Sequence, residues 1–278
     1  MYPLSNKNTG NMELIRPANN SGKFYPSSHL EILAMITQWN KLTDPKIQEQ
    51  KLNNIHPKAI VSPHAGYIYS GYTANFAYRL LANRKPKRII VIGPSHYQYF
   101  LGISAGYFDA YQTPFGQLRS DSDYLKELSQ YFVFTFEKNV HTREHSTETQ
   151  FPFIKHYFPD VPVIELVYSS VDYFDLSNLF EHILRDKQNA LVISTDLSHF
   201  YPLSQARLLD SNCLTGFEYQ NIELILNKCE ACGKPGLTAI TNTASRLYLK
   251  TKVLDYRTSA DQSSDTRSVV GYMSGIVY

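Results

Sequence analysis

The stretch KAIVSPHAGYIYSGYTANFAYRLLANRKPKRIIVIGPSH, residues 58–96, decides the fold. It opens with a short apolar run, Lys58 to Ser62, that stops at Pro63 and His64. A helical pattern follows over 71–82, and a second apolar run, Lys87 to Ile92, ends in Gly93-Pro94-Ser95-His96. Both strands read as unbroken apolar runs, not as alternations of apolar and polar residues. Strand, helix and strand in that order then describe parallel strands covered on both faces.

The same pattern continues outward. Residues 161–168 (VPVIELVY) and 190–194 (ALVIS) are further buried-strand runs, and the latter ends in Thr195-Asp196-Leu197-Ser198-His199. Helical patterns separate them at 121–131, 147–157 and 174–185. Residues 28–41 place Leu30, Ile32, Leu33, Ile36 and Trp39 at helical spacing, and 42–56 reads as a loop or a helix tail. Beyond 202 the chain turns helical at 203–219, 221–229 and 235–249, before two final strands at 251–256 and 268–277. The expectation is an α/β protein, one domain over 1–278, with a central mostly parallel or mixed sheet flanked by helices. Residues 1–27, polar and turn-rich, are expected as an N-terminal arm over the body.

Composition narrows the function classes. Hydrophobic residues are 43% and charged residues 19% of the chain, which suits a globular domain. The net charge of +2 and the lack of a dense Lys/Arg tract give a nucleic-acid partner no footing. No apolar run reaches the ~18 residues of a membrane span. The first residues, MYPLSNKNTGNMELIRP, lack the apolar core of a secretory signal, so the cytoplasm is the expected location. Cys213, Cys229 and Cys232 are too few and too clustered for a disulfide framework. The single C-x-x-C at 229–232 lacks a second pair for a zinc ribbon, so it reads as structural or incidental thiols with Cys232-Gly233 closing a helix. No GxxxxGK[ST], GxGxxG or GxSxG motif is present, which leaves ATP hydrolysis, dinucleotide binding and α/β-hydrolase chemistry without support.

What remains is positional. His64, His96 and the Asp196/His199 pair each follow a buried strand, and open α/β sheets bind ligands outside the carboxyl ends of their strands. One such histidine alone is more often structural; imidazoles at equivalent strand ends point to a shared site. In Glu144-His145-Ser146-Thr147-Glu148, His145 and Glu148 share one face if the segment is helical, although Ser146 or Thr147 could equally cap the next helix. Two neutral imidazoles with a carboxylate suit non-haem iron(II), and equally a catalytic zinc with bound water. A further histidine can serve as acid or base.

Read together and in order, Arg16-Pro-Ala, Gly22-Lys-Phe-Tyr25, Ser62-Pro-His-Ala-Gly-Tyr67, Gly93-Pro-Ser-His96, Thr113-Pro114, Glu144-His-Ser-Thr-Glu148, Ser194-Thr-Asp-Leu-Ser-His199 and Val269-Val-Gly-Tyr272 resemble the Memo family. Its prokaryotic members are called protein B of the AmmeMemoRadiSam system. The resemblance spans nearly the whole chain and implies a fold similar to class III extradiol dioxygenases, which use non-haem iron. It implies His64 and His96 as metal ligands, and His199 as the acid–base residue with Asp196 beside it; Asp196, His145 and Glu148 join His199 in the catalytic set. The dioxygenases add a glutamate as third ligand, and the animal Memo protein a cysteine in its C-terminal segment. The comparable stretch here, 258–267, has neither, so Asp261 is the nearest candidate ligand. The expected cofactor is iron(II), with another divalent ion or none as alternatives. The expected activity is that of a metal-dependent redox or hydrolytic enzyme with a dioxygenase-like site, its reaction open and its partner an unknown small molecule or peptide. The rival readings are a non-catalytic ligand- or peptide-binding protein and a partner of a radical-SAM enzyme.

Overall fold

A computed structural model describes residues 13–278. Most of the expected 1–27 arm is therefore visible, its first twelve residues lying outside the described part. The arm crosses the body as strand β1 (Ile15–Arg16) and leads into helix α1 (His29–Glu49). Of the two readings of 42–56, the helix tail is the one formed, and α1 runs through Pro45. Ile32, Ile36, Thr43 and Ile47 share one buried stripe that continues past Pro45.

The unit read from 58–96 is present. Strand β2 (Ala59–Ser62), helix α2 (Tyr67–Leu81) and strand β3 (Arg88–Pro94) follow one another, with α2 starting four residues earlier than the 71–82 pattern suggested. The region 97–120 gave no strand signal because its strands are only three or four residues long. They are β4 (Ile103–Ala105), β5 (Ala110–Thr113) and β6 (Gly116–Arg119). Helices α3 (Ser122–Leu128), α4 (Lys138–Thr142), α5 (His145–Glu148) and α6 (Phe151–Tyr157) come next. The single helix expected over 147–157 is thus broken in two, and Pro152 sits in the first turn of α6, where its missing N–H costs nothing. Then come β7 (Val163–Tyr168), α7 (Tyr173–Arg185), β8 (Asn189–Ser194), β9 (His199–Tyr201), α8 (Leu203–Glu218), α9 (Ile222–Lys228) and α10 (Lys234–Arg246). Strand β10 (Thr251–Thr258), the short α11 (Ala260–Ser263) and β11 (Val269–Val277) close the chain.

The main sheet runs β10-β11-β2-β8-β3-β7-β4, with β9 added against β11. Its centre, β2-β8-β3-β7, is parallel; β11, β10 and β4 are antiparallel to their neighbours. A single α/β domain with a mixed sheet is therefore what the sequence builds. Alternate residues of each central strand feed two separate cores. Ile90, Ile92, Leu191 and Ile193 pack with α7, α8 and α10 residues such as Leu179, Phe217 and Leu237. Ile89, Val91, Ala190 and Val192 pack with α1, α2 and α6 residues such as Ile36, Phe76 and Phe153. Each such side chain contributes roughly 1.5–3 kcal/mol on burial. This double burial is why the strands read as continuous apolar runs, and it places the ends of β2, β8 and β3 side by side on one rim.

The cysteines depart from expectation. Cys213 on α8 and Cys229 at the end of α9 form a disulfide, with Cα atoms 4.7 Å apart. The two helices pack closely enough to meet: a Cβ on Gly216 of α8 would lie 2.4 Å from Ile225 of α9. Sequence spacing alone carried no trace of that packing. Cys232-Gly233 does not close a helix either; Gly233 opens α10.

Candidate metal centre

His64 leaves the end of β2 and is 1% exposed. Its amide donates to Asp196 Oδ1 at 2.8 Å, which ties the β2 loop to the β8 loop. Its Nδ1 lies 2.9 Å from Ser194 Oγ. That hydroxyl already gives its hydrogen to the Ser146 carbonyl and receives one from Gln150 Nε2. It can only accept from His64, so Nδ1 carries the proton and Nε2 presents a lone pair.

His96, past the end of β3, is fixed by a different route. Its amide donates to Glu144 Oε2 at 2.6 Å and its Nδ1 lies 2.9 Å from Glu144 Oε1. Here too the δ nitrogen is the donor and Nε2 is left free. Burial pushes the Glu144 carboxyl up, but hydrogen bonds from His96 and Ser146 and the His96 charge outweigh it and bring it down to about 2. A carboxylate behind an imidazole is the usual support of a metal-binding histidine.

His145 stands at the start of α5, stacked on Phe24 of the arm with ring centroids 4.4 Å apart. Its ring is 4.3 Å from that of His96 and 5.3 Å from that of His64. Its Nδ1 is buried with no hydrogen-bond partner among the described residues. One nitrogen from each of His64, His96 and His145 lies within 4.8 Å of the others, so the three could hold a metal ion. Burial and the neighbouring imidazoles push His64 well below the usual histidine range and His145 down to about 3. At neutral pH His64 and His145 are therefore uncharged, the form that binds a cation.

The remaining expected residues fall at different distances from this cluster. Asp196 adjoins it: Oδ2 lies 3.8 Å from His64 Nε2, and burial pushes its carboxyl up. His199 follows on β9, and its Nδ1 lies 2.8 Å from the Leu197 carbonyl, which leaves Nε2 as the acceptor. Glu148 is turned to the arm, where its carboxylate accepts from Arg16 Nη1, the Asn20 amide and side chain, and the Tyr25 hydroxyl. Asp261 is exposed on α11, outside the imidazole group, with Oδ2 accepting from the Thr258 amide and hydroxyl. It caps a local turn.

Three residues that matter to this geometry carry little mark in the sequence. Glu144 and Ser194 are visible there only as neighbours of histidines, and Cys232 only as half of a C-x-x-C. Its Sγ lies 3.3 Å from His64 Nε2 and 3.3 Å from the Asp196 amide. Burial and the Asp196 charge push that thiol up to about 12. The usable signal was Gly233 beside it: a Cβ there would lie 2.6 Å from Thr195, so the backbone presses directly onto the β8 loop.

A family model and curated relatives agree on the family. The family model described as Memo-like protein matches residues 16–276. A MEMO1 family protein of Aquifex aeolicus (strain VF5) is 31% identical over 266 residues, covering 92% of this chain and 96% of that protein. One from Nitrosopumilus maritimus (strain SCM1) is 29% identical over 93% of this chain and 98% of its own length. One from Methanobrevibacter smithii is 31% identical over 95% of this chain and 99% of its own length. Among solved structures, the crystal structure of the uncharacterized protein JW3007 from Escherichia coli K12 shares the fold, with a TM-score of 0.50 at 13% identity over 78% of this chain and 98% of that one.

Proposed function

The chain belongs to the Memo-like protein family, and from that premise we propose that it is a metal-dependent oxidoreductase resembling class III extradiol dioxygenases, with its centre on His64 and His96. The observation that carries this reading is the convergence of three imidazoles within 4.8 Å, two of them with the δ nitrogen committed to a protein partner. His145 offers a third nitrogen, and Cys232 Sγ lies 3.3 Å from His64 Nε2. A bound iron(II) would supply Lewis acidity and open positions for oxygen or substrate. The chain itself holds His64 and His96 in the ligating tautomer. It presents His199 Nε2 as a proton acceptor and keeps Asp196 beside it in a dry wall. Substrate would enter past Tyr97, which is 44% exposed and stands edge-on to His145.

One observation favours a second metal. A thiol beside His64 suits a softer ion, zinc or copper(I), better than iron(II). Elemental analysis after anaerobic purification and iron(II) loading tests both readings, on wild type and on the His64→Ala/His96→Ala variant. Near-stoichiometric iron that disappears in the variant, with the melting point kept, supports the iron centre. Retention of zinc or copper in place of iron moves the assignment to the softer ion. No metal in either protein sinks the proposal and leaves a ligand-binding role for the pocket.

A further inference from the structure

Helix α8 anchors two of the segments that form the centre. Asp210, fully buried on its inner face, accepts from the Ser198 amide and the Tyr256 hydroxyl, and so holds the turn between Asp196 and His199. Cys213, one turn further on the same buried face, is bonded to Cys229. From Cys229 the chain needs only three residues to reach Cys232, whose sulfur touches His64. This strap is held at its near end by the disulfide and at its far end by the Gly233 amide donating to Thr195 Oγ1 at 2.9 Å. Both bonded cysteines are buried, at 0% and 4% exposure.

We propose that the Cys213–Cys229 disulfide is a redox control on the metal centre: it positions Cys232 as a sulfur ligand beside His64, and its reduction lowers the affinity for a thiophilic divalent ion. The inference rests on the metal-centre reading above. In the reducing step a dithiol gives two electrons and two protons, the Sγ–Sγ bond breaks to two thiols, and the dithiol closes to its own disulfide. Reduction removes the covalent tie between α8 and the strap. The strap then keeps only its noncovalent contacts, and Cys232 samples positions away from His64. Such loss of positioning typically costs a metal site about 10–100-fold in affinity.

Cobalt(II) is the probe, because a thiolate-to-cobalt absorption band reports Cys232 directly while a titration reports affinity. The samples are oxidised wild type with one free thiol, wild type reduced under argon to three free thiols and freed of reductant, and Cys213→Ser/Cys229→Ser. Oxidised wild type should bind cobalt with the thiolate band. The reduced protein and the double variant should bind about tenfold or more weakly, with the band diminished. If the double variant fails to fold, the reduced wild type decides. Equal affinity and an equal band in oxidised and reduced protein overturn the redox control and leave the metal centre standing. Cobalt binding without a thiolate band in the oxidised protein overturns the positioning of Cys232. No cobalt binding to any sample brings down the metal centre itself, and this inference with it.

Discussion

Two buried clusters lie within a few residues of each other along α4 and α5, and both pair a histidine with a glutamate. In the first, His141 sits between Ser104 Oγ at 3.0 Å and Glu165 Oε2 at 3.0 Å. Arg16 binds Glu148, lies 3.3 Å from Glu165, and donates to the carbonyls of His141 and Glu144. In the second, Glu144 supports His96 beside His64 and His145. The first cluster spends its charges internally, cation against carboxylate. The second orients its imidazoles and leaves ligating nitrogens aimed at one another. Unspent donors separate a site from a brace, and burial alone does not, since the brace is the more deeply buried of the two.

The largest expected effect lies in the brace. Arg16→Met leaves the Glu148 and Glu165 carboxyls buried without their cation and should lower unfolding free energy by about 3–5 kcal/mol. Urea denaturation measures it; a loss under about 1 kcal/mol would mean that the two clusters do not differ in the way described. The next effect lies in the site. Glu144→Gln keeps the shape behind His96 and removes the charge, and should weaken metal binding about 10–100-fold with little change in melting point. A large drop in melting point with unchanged metal affinity would make Glu144 part of the brace.

A third effect is in the pH dependence of the metal-free protein. His145, held down at about 3 in the folded chain against 6.5 when free, stays neutral while the unfolded chain takes up a proton. Stability is therefore full above about pH 6.5 and falls as pH drops towards 3, by about 1.4 kcal/mol per pH unit for this residue. His64 adds to the loss in the same direction. Denaturation midpoints between pH 7 and pH 5 check this in wild type and His145→Phe. A slope that the substitution leaves unaltered would show His145 to be readily protonated in place, and the contrast between the clusters would lose its electrostatic basis.

The central sheet was legible because its strands are buried on both faces and end in Pro-His or Asp-Leu-Ser-His. The rim positions of His64, His96 and Asp196 follow from those ends. The short strands β4 to β6 were not legible, because three or four residues show no period. Glu148 and Asp261 illustrate a different limit. A carboxylate near a histidine in sequence says nothing about which donors reach it in space: four donors from the arm take Glu148, and Thr258 takes Asp261. Cys232 illustrates the converse, since it meets a histidine 168 residues away with no local mark except the glycine after it.

Strand order also sets a timetable for the growing chain. The strand that leads to His64, β2, pairs with β8 and β11, so both of its edges lie bare until residues 189–194 and 269–277 have been made. On the ribosome, an edge with such an apolar sequence is a template for wrong partners over most of the time of synthesis. Helix α2 and the arm, which come from the same end of the chain, can shield one face of that strand early but neither edge. The strand ends that carry His64 and His96 are therefore brought side by side only after residues 189–194 have been made and β8 has paired with β2 and β3. A nascent chain that met metal before then would offer it single histidines and no site.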